Sequence, residues 1–331
     1  MGSTLRWASQ LTLLAALANE ECAWMLADRR VTCEGKLLDD EYNKVCVLFC
    51  DDARMAVAFT GLATYQTFDT STWIAETLSE IGKTKGDIAS LLHEFTIQAA
   101  ACFSQLAWLS PHVTFLFCGH VYSDGGSESR IYEVSNGDDP TRPAPTFSMT
   151  AYATPGPKVV LAGMTTAAPI AVSDALLRLL RSARIAPQSV LHFAVKRLRS
   201  VARDGRSAGT IGEQFNAAVI PSTVNTTVTS TYHSAKGSFS AFGANVVITN
   251  GIVFLGPELH AGAMLSGPDI RKSDTCWCGS GEQFKHCHLK KYGAVYMQMP
   301  NFKKPMYWMA HLEVESPRAS GKMFTVASGF A

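Results

Sequence analysis

Two pairs of amphipathic stretches, each flanked by strand-like sequence, constrain this chain more than any other feature. Residues 64–81 carry Phe68, Trp73, Ile74, Leu78 and Ile81 at near-helical spacing, and residues 86–109 continue with Ile88, Leu91, Leu92, Phe95, Ile97 and Phe103. Gly82 reads as the C-cap of the first helix. Residues 168–184 and 188–203 form a second pair, with Leu, Ile and Val on one face and a solvated Arg/Lys face opposite. Strand-like runs at 12–18, 23–27, 44–49 and 55–59 precede the first pair, and runs at 113–122, 130–134 and 158–161 separate the two pairs. Runs at 215–220, 228–232, 244–249 and 252–255 follow, the last two joined by the hairpin signal Asn250-Gly251. Blocks of strands alternating with helix pairs argue for an α+β chain in which sheets pack together with helices outside. A doubly wound fold needs single β and α units in alternation, which this order does not offer.

Composition narrows the function classes. The 331 residues are 47% apolar and 17% charged, enough to fill a sizeable core and too apolar for a disordered chain. Lys+Arg 29 against Asp+Glu 28 leaves a net charge of +1, which offers no electrostatic case for nucleic acid or an anionic membrane. No apolar run approaches the length of a bilayer span. Residues 11–18 admit two readings: a minimal signal-peptide core behind Arg6, ending in Ala16-Leu17-Ala18, or a buried first strand, which the single positive charge and short run favour. No phosphate-cradling G-x-x-x-x-G-K-[ST] or G-x-G-x-x-G is present. Nine Cys, an odd number, exclude a complete internal disulfide framework and point to a reducing, cytoplasmic compartment. Cys46, Cys50, Cys102 and Cys118 sit in apolar runs and read as core thiols, and His112, His120 and His192 read as core or surface residues.

The sharpest local pattern runs from Cys276-Trp277-Cys278-Gly279-Ser280-Gly281 to His286-Cys287-His288. Three thiolates and an imidazole in so short a span suit tetrahedral zinc with no open position, and Gly279 and Gly281 permit the tight turn this needs. The segment resembles the SEC-C motif, a zinc-binding module whose pattern selects Cys276, Cys278, Cys287 and His288 over the rival His286. The resemblance implies structural zinc and a docking role toward a protein partner. Metal binding would supply most of the folding energy of so small a segment.

A second resemblance covers most of the chain. The stretch from Thr12-Leu13-Leu14 through Ala27-Asp28-Arg29-Arg30, with Tyr42-Asn43-Lys44-Val45, resembles the opening of a proteasome β-type subunit, a member of the N-terminal-nucleophile (Ntn) hydrolases. That family has a nucleophilic Thr, an Asp sixteen residues later and a Lys sixteen after that. Thr12, Asp28 and Lys44 stand in those places. Gly61 falls where the family has an oxyanion-hole glycine, and Asp204-Gly205-Arg206-Ser207 matches its downstream Asp-x-x-Ser. The family's further Ser falls near Met164 or Thr165 and has no counterpart here.

The resemblance implies a four-layer αββα sandwich over residues 12–262, followed by the zinc module at 270–292 and a tail at 293–331. It implies a catalytic group of Thr12, Asp28, Lys44, Gly61, Asp204 and Ser207 acting on peptide or other amide bonds, and homo-oligomers are among the assemblies such domains form. An N-terminal Thr uses its own α-amine as base, with an unperturbed pKa of about 8. Residues 1–11 would then be an extension or a mis-assigned start, with translation beginning at the Leu11 codon. The alternative is an inactive proteasome-like scaffold that acts as a zinc-dependent adaptor.

Overall fold

The structure, a computed structural model, describes residues 12–33, 36–106, 111–124, 126–137, 146–153, 155–163, 168, 170–182, 186–207, 209–223, 228–235, 239–241, 245–248 and 252–254, with isolated positions at 273, 283, 285–286, 296–297, 306–307, 311–312 and 324–325. The chain opens with β1 (Leu13–Ala18), β2 (Cys22–Asp28), β3 (Val31–Cys33), β4 (Lys36–Asp39), β5 (Val45–Phe49), β6 (Ala53–Thr60), β7 (Thr64–Tyr65) and β8 (Phe68–Asp69). Helices α1 (Thr70–Gly82) and α2 (Ile88–Ser104) follow, then β9 (Thr114–Ser123), β10 (Gly126–Ser135), β11 (Ser148–Tyr152) and β12 (Lys158–Gly163). After α3 (Ile170–Leu180) and α4 (Pro187–Ala202) come β13 (Phe215–Pro221), β14 (Thr229–His233), β15 (Phe239–Ala241), β16 (Asn245–Ile248) and β17 (Ile252–Phe254). Two short pairs lie beyond, β18 (Tyr296–Met297) with β19 (Met306–Tyr307) and β20 (His311–Leu312) with β21 (Phe324–Thr325). Among the described residues, no helix is long and apolar enough to cross a membrane.

Two sheets carry the architecture. One has six strands in the order β12-β1-β2-β13-β14-β15; the other has seven, β11-β10-β9-β6-β5-β16-β17. Neighbours are antiparallel except β5 and β16, which run parallel. Three apolar clusters show how they stack. Even-numbered residues of β1 (Leu14, Ala16, Ala18) meet Val47, Ala56, Ala58, Leu116 and Cys118 of the seven-stranded sheet. Odd-numbered residues of β1 (Leu13, Ala15, Leu17) face α3 and α4 through Leu176, Leu191 and Leu198. On the far side of the seven-stranded sheet, Val57, Phe115 and Phe117 pack on α1 and α2 through Ile74, Leu78, Leu91 and Phe95.

The six residues of β1, Leu-Leu-Ala-Ala-Leu-Ala, are therefore buried on both faces, which is why they read as an unbroken apolar run rather than an alternation. A central strand with partners β12 and β2 is what this stretch forms, as the strand reading expected. The layer between the sheets is rich in Ala, so the two backbones approach over short side chains. The helix side is filled by larger ones: Trp73, Phe95, Phe103, Phe115 and Phe147 form an aromatic cluster, with Phe95 and Phe115 edge to face at 5.1 Å. Trp24 of β2 reaches the other helix pair and donates its indole N–H to the Pro187 carbonyl at 3.1 Å.

Several expected boundaries shift, each for a local reason. The helix expected over 64–81 starts only at Thr70, because the Asp69 carboxylate accepts the Thr72 N–H at 2.8 Å and caps it there. The preceding residues form the β7–β8 hairpin, turned at Gln66 with φ +52°. Gly82 is the last helical residue rather than the cap; Lys83 takes that place in right-handed conformation. The second helix stops at Ser104 and the third spans Ile170–Leu180, both shorter than expected. Strands β3, β4, β11 and β15 have no counterpart in the sequence reading. The strand β4 is wholly exposed, with Leu37 and Leu38 facing outward, so no burial pattern announces it. The Asn250-Gly251 turn lies outside the described residues, but β16 and β17 do pair antiparallel.

The buried imidazole of His233 makes this fold sensitive to acid. Its Nε2 lies 3.0 Å from Thr231 Oγ1 and its ring meets His192 at 6.0 Å. Burial, with His192 and Arg199 nearby, lowers its pKa from 6.5 to about 4. The unfolded chain binds the proton more readily, so the stability from a neutral His233 is complete above pH 6.5 and is lost as pH falls toward 4. The loss reaches up to about 3 kcal/mol. Urea unfolding followed from pH 7.5 to pH 5 is expected to show this decline, and His233→Gln is expected to make it shallower, the remainder coming from His120, whose burial likewise lowers its pKa to about 4; an unchanged slope in the variant would remove His233 as a source.

Candidate functional site

Hairpin register explains how residues far apart in number meet. The turn at Asn19, Glu20 and Glu21 is closed by the Asn19 side chain, whose Oδ1 accepts the N–H groups of Glu21 and Cys22 at 3.0 and 2.8 Å. It reverses β1 into β2 so that Leu14 faces Ala27, which brings Asp28 beside Leu13 and Thr12. Lys44 stands immediately before β5, Gly61 immediately after β6 and Gly163 at the end of β12. These ends meet at one rim of the two-sheet stack.

Thr12, Asp28 and Lys44 converge there, all buried. The Lys44 ammonium donates to Thr12 Oγ1 at 2.7 Å and to the Arg30 carbonyl at 2.6 Å, and lies 3.6 Å from Asp28 Oδ1. The Asp28 carboxylate accepts three backbone N–H groups: Leu13 at 2.7 Å, Arg30 at 3.0 Å and Gly212 at 3.2 Å. Burial pushes the Lys44 pKa below its ordinary value, with Asp28 opposing the shift. Burial likewise raises the Asp28 pKa, against the pull of Lys44 and the three N–H donors. Two desolvated charges survive in such a place only because each finds both a counter-charge and hydrogen bonds. With the ammonium donating to it, Thr12 Oγ keeps its own hydroxyl proton free to donate elsewhere.

Two glycines shape the rim. Gly61 adopts φ +108°, and a Cβ there would stand 1.9 Å from the backbone oxygen of His112. Gly163 adopts φ +89°, and a Cβ there would stand 1.8 Å from the Thr12 carbonyl oxygen and 2.9 Å from Thr60 Oγ1. The Thr12 backbone and the end of β6 are thus packed against β12 too closely for any side chain at position 163. Gly61 follows Thr60 directly, so its peptide belongs to the same rim.

Asp204 and Ser207 are placed differently. The Asp204 carboxylate pairs with the Arg206 guanidinium, Nε to Oδ1 and Nη2 to Oδ2 both at 2.9 Å, and Arg206 holds its pKa down at about 2. Ser207 is buried and donates its hydroxyl to the Ala202 carbonyl at 2.9 Å. Among the described residues neither hydrogen-bonds to Thr12. The loop that carries them is tied to the rim by other groups: Gly212 through its N–H on Asp28, and Gly209 through its carbonyl, which accepts from Arg30 Nη1 at 2.8 Å.

Arg30 and Asp40 escaped the sequence reading. Arg30 uses its backbone on both Asp28 and Lys44, while its side chain grips Asp40 with Nε to Oδ1 at 2.8 Å and Nη2 to Oδ2 at 3.1 Å. A backbone contact leaves no residue-type signature, so only the fold displays it. The zinc ligands expected at Cys276, Cys278, Cys287 and His288, together with Met164 and Thr165, lie outside the described residues.

The SEC-C motif family matches residues 273–290. No curated protein matches the chain.

The geometry separates two substitutions. Asp28→Ala leaves Lys44 charged and buried beside three orphaned backbone donors and is expected to cost about 3–5 kcal/mol. Thr12→Ala removes one of three Lys44 contacts and is expected to cost about 1 kcal/mol. Denaturant unfolding of both variants checks the ordering; equal losses would contradict the described network.

Proposed function

We propose that the chain is an N-terminal threonine amidohydrolase or peptidase of the proteasome-like Ntn class, joined to a structural zinc docking module. The observation that carries this reading is the buried contact of Lys44 with both Thr12 Oγ1 and Asp28 at the start of a central strand. The stacking of helix pair, sheet, sheet and helix pair supports the αββα sandwich that such an enzyme would use.

The chemistry follows from the residues. Thr12 Oγ would add to a substrate carbonyl carbon while its proton passes to the α-amine of the same residue. The Lys44 cation, 2.7 Å from Oγ, favours the developing alkoxide and lowers the amine's pKa by charge repulsion. Asp28 holds Lys44 in place. The Gly61 N–H would receive the oxyanion, since a backbone amide on a residue without Cβ permits close approach. Collapse of the tetrahedral adduct breaks the C–N bond, and the leaving amine takes the proton from the α-ammonium. Water then hydrolyses the ester on Oγ, with the α-amine again as base. The scheme requires an unblocked nitrogen on Thr12, whereas eleven residues precede it in the sequence.

The second reading, an inactive scaffold serving as a zinc-dependent adaptor, is favoured by one observation: Asp204 and Ser207 bond to Arg206 and Ala202 instead of to Thr12. Intact-mass measurement on protein from its native host, followed by a fluorogenic peptide panel with Thr12→Ala, separates the two. Thr12 at the N-terminus, with turnover falling at least 100-fold in the variant, is expected for the enzyme. A retained upstream peptide or equal turnover would leave the scaffold.

For the C-terminal motif, the donor chemistry of Cys276, Cys278, Cys287 and His288 suits zinc, whose contribution would be to fold and hold the segment. Metal analysis is expected to find about one zinc per chain, lost when Cys276 and Cys278 are both replaced by Ser. Full retention would refute the ligand assignment.

A further inference from the structure

Asp40 follows the exposed strand β4, yet its carboxylate is joined to the buried rim through one side chain, that of Arg30. It accepts from Arg30 in a fork, Nε to Oδ1 at 2.8 Å and Nη2 to Oδ2 at 3.1 Å. The third guanidinium nitrogen, Nη1, donates to the Gly209 carbonyl at 2.8 Å. A planar guanidinium with all three nitrogens engaged is held in one orientation, so the Arg30 backbone is fixed from its own side chain. The buried charges use that backbone. Its N–H donates to Asp28 Oδ1 at 3.0 Å, and its carbonyl accepts from Lys44 Nζ at 2.6 Å.

Gly212 closes the arrangement. A Cβ there would stand 2.9 Å from Arg30 Cβ and 3.2 Å from Asp40 Oδ1, so its backbone packs directly on the clasp. The Gly212 N–H donates to Asp28 Oδ1 at 3.2 Å. Gln214 donates from Nε2 to the Asp40 carbonyl at 3.2 Å, and its own carbonyl accepts the Arg29 N–H at 3.0 Å. Two of the three N–H groups on Asp28, and one acceptor of Lys44, therefore depend on where Arg30 and Asp40 hold each other.

The clasp is partly open to water, with side chains 23% exposed for Arg30 and 29% for Asp40, and an ion pair in that setting stabilises a fold little. Its leverage is positional and electrostatic. The charges acting on Lys44 are Asp28, Arg29, Asp39 and Asp40, joined in the proposed enzyme by the α-amine of Thr12. Those acting on the clasp include Glu213, which Arg203 engages at 2.6 Å, and Tyr232. The Arg30 guanidinium, with the Lys44 charge adding to it, holds the Asp40 carboxyl below the usual carboxylate range, so the clasp is ionised at neutral pH.

We propose that Asp40 is a positioning residue for the Lys44 cation: by clasping Arg30 it holds in place the carbonyl that accepts from Lys44 and the peptides that bind Asp28, and so keeps Lys44 charged against Thr12. The catalytic meaning of this role rests on the Thr12 reading; the effect on Lys44 itself does not. Losing the Asp40 charge has three consequences of one sign. An anion near Lys44 is removed, the Arg30 cation is left unbalanced, and the Arg30 carbonyl loses its fixed place on the ammonium. Each disfavours the charged form of a lysine that burial already pushes below its ordinary pKa.

Asp40→Asn and Asp40→Glu in the full chain test this, with Lys44 observed directly by NMR in protein carrying isotopically labelled lysine. Its signal is assigned by its loss in Lys44→Arg. The Lys44 titration midpoint is expected to fall by about 1 pH unit in Asp40→Asn and to recover in Asp40→Glu. An unchanged midpoint in folded Asp40→Asn would overturn the proposal. Arg30→Lys, which keeps the cation but cannot form the fork, is the second variant should Asp40→Asn not fold; a lowered midpoint supports the clasp and an unchanged one overturns it. In turnover of a fluorogenic peptide, the alkaline limb of kcat is expected to move down by the same interval in Asp40→Asn, with KM within about twofold of wild type. A loss of kcat uniform across pH, with the limb unmoved, would make Asp40 merely structural and overturn its role. Wild-type protein without turnover would remove the Thr12 reading alone, and the Lys44 midpoint would still decide for or against the clasp.

Discussion

The desolvated pair of Asp28 and Lys44 is the interaction on which the rest of the rim depends. Neither charge has access to water, so each must be satisfied by the protein or be neutralised. Asp28 does this with three backbone N–H groups drawn from β1, from its own strand's end and from the loop after α4. Lys44 does it with a hydroxyl, a carbonyl and the carboxylate. Four separate segments are thereby held together: the start of β1, the end of β2, the residue before β5 and the loop after α4. The proposed nucleophile is positioned as a by-product of satisfying a buried charge.

The layer between the sheets has opposite characters at its two ends. At the Thr12 end, an anion and a cation are matched and tied into backbone. At the other end lie Arg54, His120 and Lys158, the last donating to oxygens of Ser129 and Gly156. Between them lie Ala16, Ala27, Ala56, Ala58 and Ala218, small residues that let two sheets approach while offering nothing polar.

Much of the framework was legible because long-range burial leaves a periodic trace. The strands from β1 to β2, β5, β6, β9, β13 and β14 and all four helices have apolar patterns strong enough to be read. Their boundaries moved where a side chain intervened, as Asp69 does by capping α1. The exposed hairpin of β3 and β4 was invisible, yet it carries Asp40, whose carboxylate clasps Arg30. At the rim, Thr12, Asp28 and Lys44 were recognisable as residue types at family-like positions. Arg30, Gly163 and Gly212 were not, since each acts through a peptide group or through the lack of a side chain.

The sequence by itself determined the pattern of burial, that is, which runs form strands and which form helix pairs, and it carries the SEC-C motif at residues 273–290. These are local properties, written in residue type and period. Only the tertiary structure decided that Lys44 touches Thr12 and that Asp28 gathers the N–H groups of Leu13 and Gly212. Such contacts depend on strand order and register, and residues as far apart as Asp28 and Gly212 acquire a common environment only when the sheets have formed.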